Sequence, residues 1–310
     1  MTDTRALEAN ENAIEIRGLR KHFPGFDLGP LNLTVPRGSI YGFVGPNGAG
    51  KSTTIDLIFG MGRQDAGSIR VAGLDSVADE VSLKQRAAYV SPELEFLTWG
   101  KVRNAIRFVR GFYPGTWDDA YCTTLLDTFQ IDPAAKIATL SFGSRIKVAL
   151  ILALARRPEV LVLDEPTTGL DAVAKRELFS QLLSLMEDGG HSILISSHSL
   201  GDVERFADRI GIINDGMMLH EGATHEVVGR YCLVDVSLPS GAAFRPAPGL
   251  TLIRSRSERI RVLVDTELNG HDHLKQQGAD SFEETPLTLE DLFVALMQKP
   301  TPGDTANADR

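Results

Sequence analysis

The sequence is short of cysteine, of positive charge and of long apolar runs. Its two cysteines, Cys122 and Cys232, form no CxxC pair and no other metal-ligand spacing, which suits a reducing cytosol. Acidic residues outnumber basic ones, and the formal net charge is −9. An acidic balance disfavours non-specific binding to nucleic acids or to anionic lipid. We therefore expect no nucleic-acid partner.

No apolar run approaches the roughly 20 residues that a membrane-spanning helix needs. The longest run, VALILALA at 148–155, lies between Lys147 and Arg156 and is typical of a buried helix. The first ten residues, MTDTRALEAN, contain no apolar core of a signal peptide. We therefore expect an intracellular protein whose link to any membrane runs through a partner.

The chain has an ordinary globular composition and a clear alternation of strands and helices. It has 310 residues, of which 43% are hydrophobic and 24% charged, enough to bury a full core. Segments 13–19, 31–36 and 67–73 alternate as antiparallel strands do. From about residue 40, short apolar strands alternate with helices, which predicts a parallel, doubly wound α/β sheet. The predicted helix at 172–187 is expected to turn four residues inward: Leu178, Phe179, Leu182 and Met186.

Two other regions differ in character from this alternation. Residues 94–140 are helical and rich in aromatics, which indicates a helical insert. After residue 230 the pattern becomes two strands, at 231–238 and 259–265, and a helix beginning at Thr288, where Asp291 closes a capping box. The predicted domains are an α/β domain at 13–230 with a helical subdomain at about 94–157, a small α+β domain at 231–299, and a disordered tail at 300–310.

A phosphate-binding loop is predicted at GPNGAGKST, between a strand and a helix. Its glycines let the loop curl so that backbone N–H groups point inward, and the following helix adds the positive end of its dipole. Lys51 would place a charge on the β- and γ-phosphates, and Ser52 would offer a hydroxyl to Mg²⁺. The predicted ATP-binding residues are Gly45, Pro46, Asn47, Gly48, Ala49, Gly50, Lys51, Ser52 and Thr53.

Two adjacent carboxylates end the apolar strand of LVLDEP, at 161–166. A buried charge is costly unless a cation or a hydrogen-bonding partner compensates it, so the alternative is a strand end that is simply wet. With a phosphate loop present, we expect Asp164 to hold Mg²⁺ through water. We expect Glu165 to polarise the attacking water of ATP hydrolysis.

Four motifs in this order resemble the ATP-binding subunit of ABC transporters: the loop at 45–53, LVLDEP at 161–166, GLD at 169–171 and ILISSH at 193–198. The resemblance covers about residues 13–230. It implies a P-loop NTPase of the ABC type, a mixed sheet with an antiparallel subdomain and a helical insert. It also implies ATP and Mg²⁺ as cofactors, a head-to-tail dimer with an identical or different second ATP-binding subunit, and a separate membrane permease. The chain would then be cytoplasmic, peripheral on the inner face of the cell membrane.

The family's signature LSGGQ is diverged here and reads LSFGS within LSFGSRIKVAL, at 140–150. Ser141 and Gly143 match, whereas Phe142 and Ser144 replace a glycine and a glutamine. The resemblance implies that Ser141 and the backbone N–H groups at this helix start meet a γ-phosphate of the partner's ATP. The alternative is an N-capped buried helix.

The resemblance assigns roles to three further residues. His198 resembles the switch histidine that contacts the γ-phosphate and holds Glu165, although many histidines are merely packed or exposed. Asp171 resembles the aspartate that communicates across the dimer, and its alternative is a helix N-cap. Phe23 resembles the aromatic that stacks on adenine, and its alternative is a core phenylalanine.

The sequence departs from the family where a glutamine usually follows a strand and senses Mg²⁺ and the permease. Pro92 stands there, and proline has no side-chain donor or acceptor. Glu93, one residue after this position, is a candidate metal ligand in place of the glutamine. The alternative is that Glu93 is a solvated acid in a loop.

The C-terminal domain and the ending LTLEDLFVALM resemble bacterial exporter subunits, for drugs, antibiotics, peptides or lipids. The family docks a permease helix near 94–117, where Phe96 and Trp99 are candidate contacts. The alternative is that both belong to the core of the helical subdomain.

The rival functions are a soluble ABC ATPase that moves no solute and a nucleotide-gated regulatory subunit. No sustained heptads lie between Lys51 and Asp164, which disfavours those soluble ABC ATPases that carry a long coiled coil at this point.

Overall fold

The chain divides into two compact units, residues 1–221 and 222–310. In both sheets of the first unit, the apolar residues of the strands are mostly the ones that the fold buries. The computed structural model describes residues 12–91, 99–187, 189–238, 244–256, 259–279 and 282–297.

The first unit contains a four-stranded antiparallel sheet and a six-stranded, mostly parallel sheet with helices. Its elements are, in chain order, β1 (Asn12–Phe23), β2 (Phe26–Pro36), β3 (Ile40–Val44), α1 (Lys51–Ile58), β4 (Ala66–Val71), β5 (Leu74–Asp75), α2 (Glu80–Arg86), β6 (Ala87–Val90), α3 (Val102–Phe112), α4 (Asp119–Phe129), α5 (Phe142–Leu154), β7 (Val160–Asp164), α6 (Ala172–Glu187), β8 (Ser192–Ser197), α7 (Leu200–Phe206), β9 (Arg209–Asn214) and β10 (Met217–Ala223).

The antiparallel sheet has the order β2-β1-β4-β5, and the larger sheet has the order β10-β9-β3-β8-β7-β6. Within the larger sheet β3 pairs in parallel with both β8 and β9, and β7 pairs in parallel with β6 and β8. Strands β3 and β7 are buried at every position, as expected for strands covered on both faces. The predicted mixed sheet with an antiparallel subdomain is confirmed.

Helix packing agrees with the apolar spacing of the sequence, with one correction. The run 148–155 lies within and directly after α5 and is buried, as predicted. In α6 the buried residues include Leu178, Leu182 and Leu185, whereas Met186 is only partly buried, so the prediction for Met186 was wrong. At 3.6 residues per turn, Leu185 lies about 20° around the helix from Leu178 and Met186 about 80°.

The second unit is a small α+β fold with its own core. Its elements are α8 (Thr224–Gly229), β11 (Tyr231–Ser237), β12 (Leu250–Arg256), β13 (Arg259–Asp265), α9 (Gly270–Gln276), β14 (Phe282–Pro286) and α10 (Leu289–Met297). The strands form an antiparallel sheet in the order β12-β13-β11-β14. Val234, Val262 and Leu274 are fully buried in this core.

The predicted capping box opens the last described helix. The Thr288 backbone N–H donates to Asp291 Oδ2 at 3.1 Å, and the Asp291 N–H donates to Thr288 Oγ1 at 3.1 Å. Reciprocal bonds of this kind satisfy two of the donors that a helix start leaves unpaired. Within the described part of the chain, no helix is both long and apolar enough to cross a membrane.

Candidate functional site

The predicted phosphate loop follows the buried strand β3 and opens α1. Gly48 and Gly50 have φ of +80° and +105°, the left-handed region that favours glycine. A Cβ added to Gly45 would lie 2.3 Å from the Ile213 carbonyl oxygen, so the loop is seated directly against β9. The N-cap Gly50 gives α1 no side-chain cap. The first-turn N–H groups are therefore left for other acceptors.

Lys51 folds back over this loop. The residue is 5% exposed, and its Nζ donates to the carbonyl oxygens of Gly45 and Pro46, at 2.7 and 3.2 Å. Ser52 is exposed in the first turn of α1, next to a partly buried Thr53. Lys51 is thus held against the loop backbone, whereas Ser52 faces solvent beside it.

The neighbouring loop residues differ in exposure. Asn47 and Gly48 are exposed, whereas Ala49 is buried and its N–H donates to Pro46 O at 3.2 Å. The loop therefore presents one side to solvent and packs the other against the fold.

Asp164 ends β7 and is 7% exposed. Its carboxylate accepts a hydrogen bond from Ser196 Oγ on Oδ1 and one from the Tyr89 hydroxyl on Oδ2, the latter at 3.4 Å. Burial, and then the negative charge of Asp164, raises the pKa of Tyr89 to about 12, so the phenol stays a donor at neutral pH. Asp164 is thus not a wet strand end but a buried, oriented carboxylate.

Glu165 turns away from the strand, because its own φ is +48°. Its backbone N–H donates to Ser196, to Oγ at 3.0 Å and to the carbonyl oxygen at 3.2 Å. The side-chain Oε2 lies 2.6 Å from His198 Nδ1, and Oε1 lies 3.3 Å from Lys51 Nζ. Oε1 is buried and has no hydrogen-bond partner within the described residues. The Lys51 contact is therefore an ion pair at a distance that leaves the oxygen able to accept from another donor.

Sheet topology explains why these side chains meet. Residues 45–51, 164–165 and 198 lie at the carboxyl ends of β3, β7 and β8, and β8 lies between the other two strands. The registers Val44↔Ser197 and Asp164↔Ser196 align the carboxyl ends of these strands. In open α/β sheets this edge is where ligands bind. The His198 side chain is 51% exposed and Glu165 19%, so the pair opens to solvent on the histidine side.

Ser141 and Asp171 both cap helices. Ser141 is the N-cap of α5 and accepts from the Ser144 N–H at 3.1 Å. Asp171 Oδ1 accepts from the N–H groups of Val173 and Ala174, each at 2.9 Å, at the start of α6. The capping alternatives are therefore realised, and both residues are exposed. Capping fixes the position of both side chains at the starts of their helices.

The start of α5 packs on the GLD segment of the same chain. A Cβ added to Gly169 would lie 3.5 Å from the Phe142 ring, and one added to Gly143 would lie 3.2 Å from Leu170. Gly143 is partly buried, as is Phe142. The diverged signature and the GLD segment are thus in contact.

Phe23 ends β1 and is partly buried. The centroid of its ring lies 6.4 Å from the ring centroid of Phe26 and 5.8 Å from Lys21 Nζ. Phe26, which the sequence reasoning missed, lies closer to the loop: a Cβ on Gly50 would be 3.1 Å from its ring. Phe23 is therefore only partly buried and is not a core phenylalanine. Pro92 and Glu93 lie outside the described residues.

Sequence reasoning also missed Ser196 and Tyr89, which orient Asp164. Ser196 is the first serine of SSH, and only the parallel register with β7 places it beside the carboxylates. Tyr89 reaches the same carboxylate from β6, on the other side of β7. No spacing in the sequence indicates either contact.

Comparison with known proteins gives the family of the chain. The family model described as ABC transporter matches residues 28–168. The chain is 32% identical over 302 residues to the Nod factor export ATP-binding protein I of Burkholderia lata, covering 91% of this chain and 96% of that protein. It is 28% identical to the ABC transporter ATP-binding protein YtrB of Bacillus subtilis strain 168, covering 91% and 97%.

A solved structure described as the ATP binding subunit of an ABC transporter shares the fold. It superposes with a TM-score of 0.62 at 26% identity, covering 69% of this chain and 91% of that chain. The likeness thus covers nearly the full length of the relatives in sequence and most of an ATP-binding subunit in structure. The chain therefore belongs to the ATP-binding proteins of ABC transporters.

Proposed function

We propose that this chain is the ATP-hydrolysing subunit of an ABC transporter and drives a separate membrane permease. The observation that carries the proposal is the environment of Glu165. One carboxylate oxygen is held by His198 at 2.6 Å, while the other is buried beside Lys51 with no hydrogen-bond donor in the described part of the chain. When Lys51 turns to a phosphate, this oxygen loses its ion-pair partner and is left, fixed in direction, to accept a hydrogen bond from water, as a general base must.

In this proposal each residue of the loop edge has a separate task. Lys51 moves from its carbonyl partners to a phosphate, and the exposed N–H groups of the loop and α1 bind the remaining phosphate oxygens. Glu165 accepts the proton of the attacking water, and His198 holds Glu165 in place. Phe23 and Phe26 offer an apolar surface to the adenine.

The donor set fits Mg²⁺, which prefers oxygen ligands and keeps several waters. We propose Ser52 and the buried carboxylate of Asp164 as the residues that hold it, and Glu93 as a candidate. When bound, the ion neutralises charge on the phosphates. The role of Ser196 and Tyr89 is to keep Asp164 oriented, since both donate to its carboxylate.

We propose further that ATP closes a head-to-tail dimer, identical or mixed, through Ser141, Gly143 and Asp171. Ser141 is exposed at the start of a 13-residue helix, where an anion of a partner's ATP would be stabilised. Ser141→Arg is expected to abolish ATP-dependent dimerisation and to leave nucleotide binding largely intact, measured by light scattering and by titration of a fluorescent ATP analogue. Ser141→Ala is the control, because it removes the cap (about 1 kcal/mol) without adding bulk. Normal dimerisation of the arginine variant would contradict the composite site.

The helical subdomain offers a surface for the permease. Phe108 and Phe112 are 52% and 62% exposed, and Trp99 packs on Phe108 with ring centroids 4.9 Å apart. A groove of about 400 Å³ lies beside them. It is lined by, among others, Tyr89, Phe112, Tyr113, Leu152 and Arg156. Phe96 lies outside the described residues. An exposed aromatic patch beside a groove suits the apolar anchor of a partner helix.

The permease proposal is tested with Phe112→Asp. In cells that make the chain with its cognate permease, we expect this variant to lose co-purification with the membrane fraction and to keep basal ATP turnover. Val173→Asp, at a residue 79% exposed on α6, is the matched control. Equal retention of both variants in the membrane fraction would contradict docking at this surface.

By likeness to the Nod factor export protein, we propose that the transporter is an exporter and that its permease holds this chain at the inner face of the membrane.

Phe142 supports one alternative, a nucleotide-gated regulatory subunit. Its ring occupies the signature position where the family has a glycine and packs against Gly169. Bulk at that point would hinder close approach of a partner's phosphate. Purified chain that binds ATP and dimerises but does not turn it over, even with the permease, would favour this alternative.

A further inference from the structure

Three metal-ligating side chains of the second unit converge from three separate elements. Cys232 lies on β11, His271 on α9 and Glu284 on β14. Each offers one ligand atom, and the three atoms lie within 4.8 Å of one another. The nucleotide-binding account makes no use of any of them.

The fold explains the convergence. In the antiparallel register Cys232 pairs with Pro286 and Val234 pairs with Glu284, so Cys232 and Glu284 are diagonal neighbours on one face of the sheet. Val234 is fully buried, which makes this the face that carries the core. On α9, His271 stands three residues before the buried Leu274 and therefore shares its face. The histidine thus closes over the two strand residues.

Two of the three distances between ligand atoms match those of a coordination shell, and the cysteine sulfur and the carboxylate oxygen lie within 4.8 Å of each other. Cys232 Sγ lies 3.6 Å from His271 Nε2, and the same nitrogen lies 3.1 Å from Glu284 Oε1. Tetrahedral Zn²⁺, with a Zn–S bond of about 2.3 Å and Zn–N and Zn–O bonds of about 2.0 Å, separates S and N by about 3.6 Å and N and O by about 3.3 Å. Hydrogen bonding alone accounts for the His271–Glu284 contact, but it does not require a thiol on the same nitrogen.

We propose that Cys232, His271 and Glu284 bind one divalent transition-metal ion of the Zn²⁺ class. The sulfur and nitrogen donors select against Mg²⁺ and Ca²⁺, which prefer all-oxygen shells, and therefore separate this site from the nucleotide site. The ion takes three protein ligands and a water. Solvent reaches the site, because the Glu284 side chain is 50% exposed and that of His271 is 26% exposed. Bound metal would join β11, β14 and α9.

The test is Co²⁺ titration of the reduced full-length chain without nucleotide. Sulfur ligation gives a thiolate-to-metal charge-transfer band in the near ultraviolet, and tetrahedral geometry gives intense visible bands. We expect both bands at one Co²⁺ per chain, displaced by one equivalent of Zn²⁺. Zn²⁺ affinity is measured in parallel by competition with a chromophoric chelator.

Three ligand variants are compared with three matched controls. Cys232→Ser is expected to abolish the charge-transfer band, and His271→Gln or Glu284→Gln to weaken Zn²⁺ binding at least about tenfold. The controls are the other cysteine, a histidine of the same helix and the adjacent glutamate on β14: Cys122→Ser, His273→Gln and Glu283→Gln. Each is expected to bind as the parent does. Retained ATP-analogue binding and circular dichroism show that a variant is folded.

The proposal is overturned if the parent chain gives no charge-transfer band. It is also overturned if Cys232→Ser keeps the band or if the controls lose Zn²⁺ as the ligand variants do. Because no nucleotide is present, none of these outcomes depends on the proposed ATPase activity.

Discussion

Replacing Ser196 by alanine tests the claim that this residue orients both carboxylates. Ser196 is fully buried; its Oγ donates to Asp164 and accepts from the Glu165 N–H at 3.0 Å. The Glu165 N–H keeps its bond to the Ser196 carbonyl oxygen, so the main loss is one hydrogen bond to a buried charge. Such a bond contributes about 1.5–3 kcal/mol.

The expected result is a loss of about 2 kcal/mol, which for a unit of this size lowers Tm by about 4–8 °C. ATP turnover is expected to fall more than ATP affinity, because Lys51 and the phosphate loop are untouched. Differential scanning calorimetry, Mg-dependent phosphate release and titration of an ATP analogue measure the three quantities.

Ser197→Ala is the matched control on the same strand. Ser197 Oγ accepts from the Ser199 N–H at 2.9 Å and donates to the Ser199 carbonyl oxygen at 3.4 Å. The variant therefore loses only hydrogen bonds between uncharged groups. We expect a cost of about 1 kcal/mol and near-parental turnover. The reasoning would be refuted if Ser196→Ala were no less stable than Ser197→Ala, or if it lost ATP affinity and turnover in equal measure.

Two further predictions follow from close contacts. Gly45→Ala is expected to weaken ATP-analogue binding at least about tenfold and to lower the free energy of unfolding by about 1–3 kcal/mol, because its Cβ would meet the Ile213 carbonyl oxygen at 2.3 Å. Gly201→Ala is the control, since a Cβ there would lie in open space. Equal ATP-analogue binding by both variants would contradict this prediction. Burial alone would raise the pKa of Asp265, but the hydrogen bonds and charge of Arg230 outweigh it and hold that pKa below its usual range. This pair therefore stabilises the fold above about pH 4 and loses its effect as the pH falls further. Asp265→Asn is expected to cost about 2 kcal/mol in urea unfolding at pH 7, with a difference from the parent that shrinks at acid pH; a difference independent of pH would contradict the assignment.

The fold was largely predictable because its local patterns agree with its packing. The buried strands at 160–163 and 39–45 and the helix at 172–187 follow from apolar spacing and flanking glycines, and the structure places β7, β3 and α6 there. Met186 was misassigned because its position on the helix face, not its apolar character, decides burial. The phosphate loop was predictable because its spacing is local in sequence.

What could not be predicted depends on contacts between strands distant in sequence. Ser196 reaches Asp164 across 32 residues, and Tyr89 reaches it across 75. Neither contact leaves a spacing motif, because parallel strands are joined by crossovers of variable length. Cys232 and His271 are 39 residues apart and meet only because a helix of the second unit packs on its antiparallel sheet. The sequence predicted no metal site at Cys232, since cysteine spacing alone was considered.

The central claim is that Glu165 is the base of ATP hydrolysis in a closing dimer. It is tested most directly by Mg-dependent ATP turnover of the purified chain beside Glu165→Gln, with mass followed by light scattering. The amide keeps the size of the side chain and removes the charge that accepts a proton. We expect the parent to hydrolyse ATP and Glu165→Gln to remain an ATP-bound dimer without hydrolysis. A Glu165→Gln variant that hydrolyses ATP at the parental rate would contradict it.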